Sequence, residues 1–72
     1  VKLKVKKETE ATVDGLSLLR ELRPYMSLHM IRDIVNELRE IGDITLNPRS
    51  DNQAEELALV FVGCGLSVDY ID

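Results

Sequence analysis

Val1, Leu3 and Val5 alternate with Lys2, Lys4 and Lys6 at the start of the chain. A period of two sends apolar side chains to one face of a strand and ammonium groups to the other, so a first strand is expected with its lysines in water. There they discourage edge pairing, or else form a partner-binding strip. Glu8 to Asp14 is polar and without a period, which reads as a loop. Thr12 or Asp14 is placed to cap a first helix, in which Val13, Leu16, Leu19 and Leu22 recur every three residues and Leu18 widens the apolar stripe. Pro24 has no backbone donor and biases Arg23 away from helical dihedrals, so this helix should stop near Arg23.

Ser27 suits the N-cap of a second helix, with Met26 and Ile31 at the two positions of a hydrophobic staple. Met30, Ile31, Ile34, Val35, Leu38 and Ile41 keep helical spacing after it, and Gly42 is placed for a left-handed C-cap. Ile44 to Asn47 reads as a short strand before an Asn47-Pro48-Arg49-Ser50 turn. The final third supports two readings. Leu57 to Val62 would serve as a strand turning at Gly63-Cys64-Gly65 into Leu66 to Ile71. Against that, Ser50 and Gln53 have capping-box spacing, Glu55 and Glu56 suit the first turns of a helix, and Ala54, Leu57, Ala58, Phe61 and Val62 share helical spacing. The helical pattern is the stronger. The expected fold is therefore α+β, in the order β-α-α-β-α-β, with a small three-stranded sheet covered on one face by three helices.

At 72 residues the chain is one small domain, either whole or cut from a longer protein, and its first residue, Val, fits a processed product or an excised fragment. A chain this short buries only roughly 60% of its unfolded surface, which leaves room for one core. No apolar run approaches the roughly 20 residues of a membrane span, and no signal-type block follows the basic start. The single cysteine, Cys64, excludes an internal disulfide and suits a reducing compartment, so the cytoplasm is expected. A net charge of -4 disfavours non-specific nucleic-acid binding. Its distribution is uneven: residues 1 to 7 carry four Lys and no acid, whereas Asp43 to Asp72 holds six acids and one Arg.

Catalysis and metal binding find few tools. His29 is the only histidine and lies far in sequence from Cys64. The carboxylates show no ligand spacing, and the adjacent Glu55 and Glu56 point to different sides of a helix. Gly63-Cys64-Gly65 lacks the lysine of a phosphate loop and reads as a turn. No enzyme, cofactor or metal is expected. The arginines are more informative: Arg20 and Arg23 share a face of the first helix, Arg32 and Arg39 share one on the second, and a hairpin would set the two rows side by side. They are either solvated cations partly neutralised by Glu21, Asp33 and Glu37, or guanidinium groups that meet acidic side chains of a partner.

Leu18-Leu19-Arg20-Glu21-Leu22-Arg23, then Pro24-Tyr25, then Met26-Ser27-Leu28-His29-Met30-Ile31-Arg32 resembles the hairpin of the C-terminal domain of the bacterial ribosomal stalk protein, the L-seven/L-twelve family. That hairpin runs apolar-apolar-Lys-x-apolar-Arg, a short loop, and Leu-Gly-Leu-Lys-x-Ala-Lys. The family's Ser-x-x-Asp-Ala-Glu-x-Leu helix is similar to Ser50 through Leu57. The departures are Ser27 for the hairpin glycine, His29 for a lysine, an inserted Pro24, and Leu59, Val60 and Val62 where lysines and alanines are usual. The resemblance implies a divergent stalk-like module spanning 1–72 that recruits a translation GTPase, or a similar acidic protein surface, through Leu18, Leu19, Arg20, Arg23 and Arg32. A second family of this fold, the adaptor that delivers N-terminal-degron substrates to the Clp protease, has a Met-Ser helix start similar to Met26-Ser27. Its amine-binding Asn-Asp pair and His would fall on Glu8 or Glu10 and Arg39, and a cation at Arg39 repels an ammonium. A third alternative is a structural or oligomerisation domain, in which the surplus apolar residues Leu59, Val60 and Val62 form a dimer seam or meet another domain.

Overall fold

A computed structural model describes residues 2–8 and 13–71; the strand position of Val1, the loop expected over 9–12 and the capping role of Thr12 lie outside them. The chain forms β1 (Lys2–Lys6), α1 (Gly15–Leu22), α2 (Leu28–Glu40), β2 (Asp43–Leu46), α3 (Asp51–Gly63) and β3 (Ser67–Ile71), the expected α+β order. Strand β1 is central, with antiparallel neighbours on both sides, giving the order β2-β1-β3.

The register follows from the two-residue alternation. Leu3 lies between Leu46 and Tyr70, and Val5 between Ile44 and Val68, so these side chains share the inner face. Leu3 and Val5 are fully buried there. On the other face Lys4 lies between Thr45 and Asp69, and Lys6 between Asp43 and Ser67. This face is open to water apart from the partly covered Lys4, and its lysines stand beside opposite charges on both edge strands.

The helices cover the inner face with Leu18 and Leu22 from α1, Ile31, Ile34, Val35 and Leu38 from α2, and Ala54, Leu57 and Phe61 from α3. Helix α2 is capped by Ser27, whose hydroxyl accepts from the Met30 N–H at 3.3 Å. It ends as expected at Gly42, which takes a φ of 99°. Met30 and Ile41, counted in its apolar stripe from the sequence, are exposed at the two ends. In α3 the Ser50 hydroxyl accepts from the Gln53 N–H at 3.1 Å, and Gln53 Oε1 accepts from the Arg49 N–H at 2.7 Å. Residues 57–62 are thus helix and not strand.

Helix α1 departs from its expected stripe. Leu18 and Leu22 are fully buried, Leu19 is half-buried, and Leu16 is 75% exposed. Each residue turns about 100° around a helix, so a three-residue repeat drifts about 60° per step, whereas the four-residue pair Leu18 and Leu22 stays within about 40°. Leu16 lies about 160° from Leu18 on that wheel and faces outward.

Candidate protein-interaction surface

Helix α1 begins at Asp14, whose carboxylate accepts from the Ser17 N–H at 3.1 Å and from the Ser17 hydroxyl at 2.7 Å. These bonds, the hydroxyl one foremost, hold the Asp14 carboxyl below its ordinary range. The cap fixes where the helix starts, and packing against α2 and α3 turns it so that Leu18 and Leu22 are buried. Leu16, Arg20 and Arg23 then fall at i, i+4 and i+7 along the solvent side, with Leu19 beside them, and these four line a shallow cleft of about 320 Å³.

A second cleft of about 250 Å³ lies between α1 and α2, lined by Gly15, Leu19 and Ile31 with Arg32, Val35, Asn36 and Arg39. Leu19 borders both clefts, so the hairpin sets Arg20 and Arg23 on one side of an apolar bridge and Arg32 and Arg39 on the other. The two arginine rows expected from the sequence thus border separate clefts that share Leu19.

Their roles differ. Arg39 Nη2 donates to the Val13 carbonyl at 3.3 Å, tying the end of α2 to the entry of α1. Gly15 makes room for this, because a Cβ there would stand 3.1 Å from Arg39 Nη2 and 3.4 Å from Val35 Cγ1. Arg20, Arg23 and Arg32 are exposed. Among the described residues no ion pair engages them; the one close acid–base contact is His29 Nε2 to Asp33 at 3.6 Å, between exposed side chains one helical turn apart. Asp33, expected to neutralise the arginines in part, lies within 4 Å of His29 and of none of them.

Of the five residues named from the sequence, Leu19, Arg20, Arg23 and Arg32 border the two clefts and Leu18 does not. Leu18 is fully buried beneath the hairpin and offers a partner no surface, which corrects its assignment to the site. Leu16, counted in the apolar stripe of the first helix, also borders the cleft and was not among the five; its angular distance from the Leu18–Leu22 pair is the sequence signal that would have turned it outward.

The remaining chemistry is sparse. Partial burial, reinforced by the negative charges of Glu21 and Asp14, pushes the Cys64 thiol above its ordinary pKa and keeps it protonated. Among the described residues no three His, Cys, Asp or Glu side chains gather as a metal site, and no helix is long and apolar enough to cross a membrane. Comparison of the chain with protein-family models, curated proteins and solved structures finds no match.

Proposed function

We propose that this chain is a non-enzymatic protein-interaction module that captures an acidic protein surface with its α1–α2 hairpin. One observation carries the reading: three exposed arginines without an ion-pair partner among the described residues, Arg20, Arg23 and Arg32, flank the half-buried Leu19 and the exposed Leu16. Guanidinium groups form forked hydrogen bonds to carboxylates, and the leucines supply apolar area that a partner can cover. The patch is small, which suits weak and rapidly reversible capture.

The resemblance of the hairpin sequence to the ribosomal stalk domain adds a partner class, a translation GTPase, and a cytoplasmic setting. Arg39 is held at the Val13 carbonyl and keeps a positive charge beside the inter-helix cleft, which disfavours an amine ligand of the degron-adaptor kind. The test is a two-dimensional amide NMR titration of the labelled chain with a translation elongation GTPase, repeated with Arg20→Glu and Arg32→Glu. Shifts should cluster on Leu16, Leu19, Arg20, Arg23 and Arg32 and disappear in the folded charge-reversal variants. Absence of shifts with excess GTPase would remove this partner class, and shifts that survive both reversals would remove the hairpin as the site.

A further inference from the structure

Helix α3 is apolar on two sides. Ala54, Leu57 and Phe61 face the core, while Leu59 and Val62 are 74% and 57% exposed. Tyr70 stands on the inner sheet face opposite the fully buried Leu3, yet it is 55% exposed, so this edge of the sheet is incompletely covered. Leu59, Val62, Val68 and Tyr70, with Glu55 and Ala58, line a cleft of about 350 Å³ between α3 and β3. A smaller one of about 270 Å³, bordered by Asp51 and Glu55, adjoins it at Tyr70. Strand β3 is an edge strand whose outer side has no neighbour in the sheet among the described residues.

Charge specifies what fits there. From Ser50 to Ile71 the chain has Asp51, Glu55, Glu56 and Asp69 and no Lys or Arg. The inner side of β3 already shows its preferred neighbour: β1 sets Leu3 and Val5 beside Tyr70 and Val68 on one face, and Lys4 beside Asp69 on the other. The open side of β3 presents those same side chains. Pairing β3 with β3 of a second copy would bring acidic surfaces together with no cation between them, so charge disfavours a symmetric dimer through this edge.

We propose that the α3–β3 cleft docks an extended segment of another protein in which apolar residues alternate with Lys or Arg, added to the sheet as a fourth strand along β3. Its apolar side chains cover Leu59, Val62 and Tyr70, and its cations lie beside Asp69 and the acidic rim. Backbone pairing supplies affinity and the alternating side chains supply selectivity. This surface involves none of the hairpin arginines and stands independently of the function proposed for them.

The probe is a fluorescent, end-capped peptide with the sequence of residues 2–7, titrated with the whole chain and followed by anisotropy. Saturable binding is expected, weakened about tenfold or more by Glu55→Lys and by Leu59→Asp, both at exposed positions, and not weakened by Arg20→Glu. Peptides N-methylated at alternate residues keep the charge pattern but lose half the backbone donors; one of the two N-methylation registers should abolish binding. Lack of saturation at millimolar peptide, indifference to both N-methylation registers, or unchanged affinity in Leu59→Asp would each overturn the proposal. Concentration-dependent mass in sedimentation that Leu59→Asp abolishes would overturn it too, assigning the cleft to a second copy.

Discussion

Leu16 and Leu18 are the same residue type two positions apart, and the fold gives them opposite surroundings. Leu18 is fully enclosed and Leu16 is mostly in water. Truncating a buried leucine removes its transfer free energy and leaves a cavity, so Leu18→Ala should cost about 2–5 kcal/mol. Leu16→Ala should stay within about 0.5 kcal/mol. In a domain of this size each kcal/mol moves the melting temperature by about 4–8 °C, so calorimetry separates the two variants easily. Comparable losses would mean that the rotation of α1 is wrong. The pair also shows how far single residues were legible. The sequence displays five leucines or valines near this helix without saying which way it turns, and contacts with α2 and α3 set that rotation. Arg20, Arg23 and Arg32 were easier to place, because a long cation on a small domain has little alternative to the surface.

At the scale of elements, α3 was the open question, since residues 57–62 alone suit a strand as well as a helix. Its ends settle it. Beyond the Ser50 cap, the Leu66 N–H donates to the Phe61 carbonyl at 3.0 Å and the Gly65 N–H to the Val62 carbonyl at 3.0 Å. Gly65 takes a φ of 85° between them, and Phe61 and Leu66 are both buried, as expected for a Schellman ending. An added Cβ at Gly65 meets nothing within 4 Å, so the penalty of Gly65→Ala is conformational and not steric crowding by neighbours. It should cost about 1–2 kcal/mol. Gly65→Asn should recover part of that loss, because asparagine tolerates the left-handed region. Thermal melts of both variants test this, and an Ala variant as stable as the parent would show that the cap contributes nothing. The exposed Leu59 and Val62 were visible in the sequence as surplus apolar residues. That they border a cleft with Tyr70 was not, because Tyr70 reaches it only through the pairing of β3 with β1.

For the whole molecule, the governing feature is a mismatch between net and local charge. The domain carries -4 overall while its hairpin presents arginines, and its longest dimension is 29 Å. At about 0.01 M salt the screening length is about 30 Å, so an approaching acidic partner feels the repulsive total as well as the attractive strip. At about 0.1 M it shrinks to about 10 Å, and the arginines act with the far acids screened out. Near 1 M, at about 3 Å, steering by the strip is largely lost as well. The association rate with an acidic partner at the hairpin should therefore pass through a maximum as salt rises, whereas a basic segment docking at the α3–β3 cleft is attracted by both the net and the local charge and should associate ever more slowly. Stopped-flow association across this range distinguishes the two surfaces without any mutation. A steady decline from the lowest salt with an acidic partner would show that the strip outweighs the net charge at every distance. A flat profile would deny the arginines a steering role.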